Sequence, residues 1–182
     1  MTDPFVREFI LEEDQQEFLL ELLAEKEPQM TRAGVYNEER GAHQSPERFC
    51  DNIPFRHHEV PDISMELLAL TEETFEPNIP DLWFSQFEFI RYENDGQTFK
   101  RHQDDADDGS RHNRFFTSVT MVEKSDNLVG GVLKIWTPNE KEYTVDLDPF
   151  ETVIFPAYYF HEATPVHTGR RVVMISWGQR GK

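Results

Sequence analysis

His102-Gln103-Asp104 sets an imidazole and a carboxylate two residues apart. Side chains at that spacing leave the same face of a β-strand, so both can reach one ion from a single rigid element. A second histidine would complete a 2-His-1-carboxylate set, which grips a transition-metal ion on one face and leaves its other positions open for chemistry. The triplet alone is common by chance, and its surroundings are what give it weight. It closes the stretch R-Y-E-N-D-G-Q-T-F-K-R-H-Q-D from Arg91 to Asp104. Asn94-Asp95-Gly96 tolerates the positive φ of a tight turn. The alternating runs on either side, Leu82 to Tyr92 and Thr98 to Asp104, are expected to form a hairpin that carries the motif.

The missing ligand is sought in F-P-A-Y-Y-F-H-E-A-T-P-V-H-T-G-R-R, from Phe155 to Arg171. His161, after an aromatic run, is the first candidate, and His167 is its rival. A guanidinium pairs bidentately with a carboxylate, so an arginine set behind the metal can anchor a dicarboxylate whose other end chelates the ion. The acidic run after Asp104 is not a calcium loop, because no starting point puts oxygen ligands at the first, third and fifth places with a glutamate at the twelfth. It reads as a solvated loop at the mouth of the site.

The rest of the chain must position these groups. At 182 residues, with no break in composition, it is expected to be one domain. Residues 1–80 would supply supporting helices and a covering loop, and residues 82–178 the core. Phe5 to Ile10 suggests a short strand, and Glu12 to Glu27 a helix with Phe18, Leu19, Leu22 and Leu23 on one face. Glu27 to Pro61 has no clear period and carries four prolines, so it is expected to be a long substrate-covering segment. Ile63 to Phe75 resumes a helical pattern. The aromatic run Leu82 to Tyr92 suits a strand buried on both faces. Further strands are expected at Arg114 to Glu123, Gly131 to Thr137, Glu142 to Leu147, Glu151 to Phe155 and Arg171 to Trp177. Many short strands after two helices suggest a mainly β fold with flanking helices. Its core would be a jelly roll, a double-stranded β-helix of mostly antiparallel strands whose interior can hold a ligand.

Charge and cysteine usage narrow the partners. Lys and Arg total 18 against 35 Asp and Glu, a net charge of −17. That serves solubility first, and it disfavours phosphate backbones, so no nucleic-acid substrate is expected. A single cysteine, Cys50, allows no internal disulfide, and the N-terminus lacks a long apolar stretch, which together suggest the cytoplasm. No run approaches the length of a membrane span, so no membrane partner is expected.

Several motifs in one order resemble the prolyl-4-hydroxylase-like branch of the Fe(II)/2-oxoglutarate-dependent dioxygenases. They are R-Y-x-x-x-G-x-x-F-x-x-H-x-D ending at Asp104, R-F-F-T at 114–117, G-G-V-L-K-I-W at 130–136, and F-P with H-E-A-T-P-V-x-x-G-x-R between Phe155 and Arg171. The match covers roughly Arg91 to Trp177. It implies that His102, Asp104 and His161 hold Fe(II). It implies that Arg171 grips the distal carboxylate of the co-substrate 2-oxoglutarate, while Arg170 faces away. Tyr92 matches a tyrosine beside the co-substrate, and Trp177 one near the substrate pocket, with Tyr36 and Arg114 as further pocket candidates. Relatives commonly carry a tyrosine where this chain has Met121, so Tyr92 or Thr120 would have to supply that hydrogen bond.

The activity implied consumes O2 and 2-oxoglutarate, releases succinate and CO2, and hydroxylates an unactivated C–H bond, with ascorbate as an accessory reductant. The expected substrate is a prolyl or other residue of a peptide or protein. The alternatives are a free amino acid or small metabolite, a non-catalytic jelly-roll binding module, and a zinc hydrolase. Zinc accepts the same donors but has no use for Arg171.

Overall fold

The computed structural model describes residues 4–37, 41–105 and 113–180. Its elements in chain order begin with β1 (Val6–Phe9), α1 (Glu13–Lys26), β2 (Thr31–Arg32), β3 (Gly34–Asn37), β4 (Gly41–Gln44), β5 (Arg48–Phe49), β6 (Asp51–Arg56) and α2 (Pro61–Phe75). The strands β7 (Leu82–Glu93), β8 (Thr98–His102), β9 (Arg114–Lys124), β10 (Val129–Gly130), β11 (Leu133–Trp136) and β12 (Glu142–Val145) follow. The chain closes with β13 (Glu151–Pro156), β14 (Phe160–Ala163), β15 (Val166–Thr168) and β16 (Arg170–Arg180).

Aromatic and β-branched residues fit a pleated, half-buried surface, and they concentrate in β7, β9 and β16. These three form the middle of a seven-stranded sheet ordered β1-β13-β9-β16-β7-β6-β2. A five-stranded sheet ordered β12-β11-β14-β8-β5 packs against it. Alternation along each strand then divides the core in two. On β9 and β16, Phe116, Val122, Val172 and Met174 meet Leu19, Leu23, Ile63 and Leu67 of the helices. Ile90, Tyr92, Val119, Met121 and Val173 point the other way, towards Leu133, Ile135 and Ala163 of the smaller sheet. The result is the mainly antiparallel jelly roll with flanking helices that the pattern implies.

Three expectations need correction. The Asn94-Asp95-Gly96 turn exists, with Asp95 at φ 82° and Gly96 at φ 74°, but it does not close a hairpin. Both edges of β7 are taken, by β16 and β6, so the turn carries the chain across to the other sheet, where β8 pairs with β14 and β5. Reciprocal bonds, Gly96 N to Val166 O and Val166 N to Gln97 O, pin that crossing. The segment from Glu27 to Pro61 is no structureless loop: β2 and β6 extend one sheet and β5 the other. Strands this short take their register from long neighbours, which no local periodicity records. On α1, Leu19, Leu22 and Leu23 are buried as expected, but Phe18 is 44% exposed, on the outer side. Among the described residues no helix is long and apolar enough to cross a membrane.

Candidate active site

Strand pairing assembles the polar cluster. In β8 and β14 His102 lies directly across from His161, which sits within a short strand rather than in the connection expected for it. Asp104, two residues beyond His102, is held where β8 ends by the bond from its own N–H to Ala157 O, at 3.0 Å. One ligand atom from each of the three lies within 4.8 Å of the others. Nε2 of His102 is 3.8 Å from Asp104 Oδ1, and Nε2 of His161 is 3.4 Å from Oδ2.

The opposite ring nitrogens are tethered. His102 Nδ1 meets Lys100 O at 2.7 Å and His161 Nδ1 meets Tyr159 O at 3.1 Å, so each Nδ1–H donates and each Nε2 keeps its lone pair for the cluster. Burial, with the neighbouring His161, pushes His102 down to about 3, which keeps it neutral at ordinary pH. Burial opposes ionisation of Asp104. The adjoining imidazoles of His161 and His102, with Arg114 and a hydrogen bond from Thr117 Oγ1 at 2.7 Å, outweigh it and hold the carboxyl below its usual range. Neutral imidazole and ionised carboxylate are the forms a divalent ion requires. His167 is exposed and stands outside the cluster.

The three groups open into a cavity of about 400 Å³ between the sheets. Its walls are mostly apolar, with Ile90, Phe99, Leu133, Val119 and Val173 among them. That is the size and character of a small-molecule site. Arg171 lies in this wall, 3% exposed. No carboxylate is in contact with it among the described residues, and its buried Nε has no partner. Burial lowers its pKa from the usual arginine value, yet a guanidinium stays charged in proteins. A buried cation left without a counter-ion is costly unless a ligand supplies the negative charge. Close approach is built in from β11's side: a Cβ on Gly131, at φ 67°, would stand 2.7 Å from Val166 Cγ2 and 3.1 Å from Arg171 Cδ. Arg170, as expected, turns outward to Glu27 and Glu123.

Other anticipated residues are placed unevenly. Tyr92 lines the cavity, its ring centre 4.9 Å from the Arg171 guanidinium carbon, and burial raises its pKa, so the phenol stays protonated and able to donate. Arg114 and Trp177 both line it too, the guanidinium lying 3.6 Å from the indole centre. Thr120 points instead to the helix side of the sheet, where its hydroxyl meets Thr152 Oγ1 at 2.8 Å. The strand's alternation puts Thr117 and Val119 in the cavity and Thr120 behind it. The side chain of Tyr36 and residues 106–112 lie outside the described residues. Three polar cavity residues carry no motif-level role in the sequence: Thr117, Arg48 and Glu88. Glu88 did carry a signal, as a charge set between the buried aromatics Phe87 and Phe89.

The donor set and the unpaired Arg171 fit a metal ion and a dicarboxylate. Comparison with known proteins agrees. The family model of the 2OG-Fe(II) oxygenase superfamily matches residues 87–179. Similar solved structures include a prolyl-4-hydroxylase from Pseudomonas putida, at TM-score 0.73 and 17% identity, covering 98% of this chain and 94% of that one. A viral collagen prolyl hydroxylase of Paramecium Bursaria Chlorella virus-1, in complex with 2OG, aligns at TM-score 0.69 and 15% identity over 99% and 97% of the two chains. A Trichoplax adhaerens prolyl hydroxylase, solved with a peptide fragment of hypoxia inducible factor, aligns at TM-score 0.67 and 14% identity over 98% and 84%. No curated protein sequence matches the chain. The chain therefore belongs to the 2OG-Fe(II) oxygenase superfamily, and as an enzyme it is an oxidoreductase that works with Fe(II), 2-oxoglutarate and O2.

Proposed function

We propose that this enzyme hydroxylates an unactivated C–H bond of a prolyl residue in a peptide or protein. The observation that carries the co-substrate half is Arg171, buried, charged and without an acidic partner among the described residues at the wall of the cavity. Its guanidinium would receive the distal carboxylate of 2-oxoglutarate, and Tyr92, packed against it, would donate its O–H to the same group. His102, Asp104 and His161 would hold Fe(II) by Nε2, one carboxylate oxygen and Nε2. When bound, Fe(II) with 2-oxoglutarate and O2 supplies the oxidising power, releasing succinate and CO2 as the substrate C–H becomes C–OH. The chain's own work is positional. Thr117 fixes the Asp104 carboxylate, backbone carbonyls fix both rings, and the apolar walls exclude water from the reacting centre.

The prolyl assignment is supported by the likeness to the Pseudomonas and viral prolyl hydroxylases, and a peptide is supported by the Trichoplax enzyme having been solved with one. Residues 1–182 act as one catalytic unit in this reading. The buried, lone Cys50, whose thiol burial pushes up to about 11, is in keeping with the cytoplasm. The test is to incubate the full chain with Fe(II), 2-oxoglutarate, O2 and a library of proline-containing peptides, and to follow peptide mass. An added oxygen atom on proline, matched mole for mole by succinate, is the expected result. Succinate without any modified peptide across the library would reject the prolyl assignment.

A further inference from the structure

Further along the sheet that holds Arg171, four residues along β7 from its partner Tyr92, the cavity carries a second polar pair. On β7, Glu88, Ile90 and Tyr92 alternate towards the cavity, and β5 brings Arg48 beside them. Glu88 Oε2 accepts from Arg48 Nη2 at 2.7 Å and from Asn52 Nδ2 at 3.1 Å. Arg48 Nη1 donates to Gly34 O at 3.2 Å. A guanidinium has five N–H groups, so three of Arg48 remain, and its buried Nε has no partner. Glu88 Oε1 has no donor among the described residues. The Arg48 guanidinium lies 5.1 Å from the Phe99 ring centre, and Phe99 stacks on His102 at 3.6 Å. The pair is thus one aromatic ring removed from the metal cluster, and it is not among the groups assigned above to the metal or to 2-oxoglutarate.

Taking two charges out of water costs more than their attraction returns unless their remaining donors and acceptors are satisfied. This pair is neutral as a unit, so it offers hydrogen bonds without net charge. An incoming carboxylate would meet Glu88 as well as Arg48, and an ammonium would meet Arg48 as well as Glu88. A secondary amide, whose carbonyl accepts and whose N–H donates without charge, suits an N–H of Arg48 and an oxygen of Glu88 together. Building on the hydroxylase reading above, we propose that Arg48 and Glu88 recognise the backbone amide next to the residue that is oxidised. Arg48 donates to the carbonyl of that residue, and Glu88 accepts the N–H of the residue after it. These are specificity-determining residues, and they select a peptide over a free amino acid.

The test uses the full chain, loaded anaerobically with Fe(II) and 2-oxoglutarate, and reads binding by calorimetry, with the unloaded protein as a second arm. The probes are blocked tripeptides acetyl-Gly-X-Gly-amide, with X proline, lysine, leucine or asparagine. Their esters, in which oxygen replaces the N–H after X, and the free amino acids complete the set. The expected result is that a blocked peptide binds about tenfold more tightly than its ester, the factor one good hydrogen bond provides. In the double variant Arg48→Met/Glu88→Met, amide and ester should bind alike. Replacing both partners with apolar side chains leaves no lone buried charge, and the wild-type comparison needs no variant at all. Equal binding of amide and ester by the wild type, binding of free amino acids alone, or no binding by any probe would each overturn the proposal. A proline peptide bound without preference over its ester would leave the prolyl reading intact and sink this one. A lysine peptide bound with the preference would do the reverse.

Discussion

Thr117 shows how one hydroxyl governs a metal site without touching the metal. Its Oγ1 donates to Asp104 Oδ2, so it both lowers the carboxyl's pKa and fixes the orientation of the carboxylate between the two histidines. Thr117→Val keeps the shape and removes the donor, and groups that orient a metal ligand typically alter affinity 10- to 100-fold. We therefore expect Fe(II) to bind some tenfold or more weakly in this variant, measured by anaerobic titration, with little change in the far-UV spectrum. Unchanged affinity would mean that Asp104 is held well enough by its backbone bond to Ala157. At this scale the sequence was most informative about ligands. The two-residue spacing locates His102 and Asp104, although β8 ends at His102 and a backbone bond to Ala157, not strand alternation, sets Asp104, and His161 is separable from His167. Thr120 has the hydrogen-bonding capacity for the site but occupies the face of β9 turned away from the cavity, which its residue type does not reveal.

Elements were legible where their period was long and poorly legible where pairing set them. The three long central strands and both helices announce themselves by composition. The crossing from β7 to β8 looks like a hairpin in sequence because turn chemistry is local, while the occupation of both β7 edges is not. The same reason hid β5 and β6, and with them Arg48. On α1 the four apolar residues span more of the helix than the sheet can cover, and the structure buries three of them. That gives a sharp contrast. Leu19→Ala should cost about 3 kcal/mol, in the range for a fully buried leucine, whereas Phe18→Ala should cost under about 1 kcal/mol. Denaturant unfolding of the two variants measures this, and equal losses would contradict the assignment of helix faces.

For the whole molecule, ion pairs fasten the periphery to the large sheet. Glu27, just past α1, joins Arg91 of β7 and Arg170 of β16 at 2.9 Å each. Glu151 joins Arg7 at 2.6 Å. Burial opposes the ionisation of both glutamates, but their arginines outweigh it, and both pKa values fall below the ordinary 4.5. A carboxylate depressed in the folded state stabilises fully above its unfolded pKa, and that contribution is lost as pH falls through the folded value. The melting temperature should therefore drop as pH goes from about 5 to 3, with Glu27→Gln melting lower at neutral pH and showing a shallower acid slope. An identical slope in the variant would remove Glu27 from the account. With a net charge of −17, the chain's self-repulsion weakens over the same interval, which makes an observed loss of stability the more telling.

The central claim is that His102, Asp104, His161 and Arg171 form one site for Fe(II) and 2-oxoglutarate, and its most direct test is optical. Metal-free protein is given Fe(II) and then 2-oxoglutarate under argon, and the visible metal-to-ligand charge-transfer band of the chelate is recorded. The account predicts a band in the wild type that is absent in His161→Ala. In Arg171→Ala it should need a 2-oxoglutarate concentration at least tenfold higher, since a buried charged partner is lost. Folded protein that gives no band, or a band indifferent to both substitutions, would contradict it.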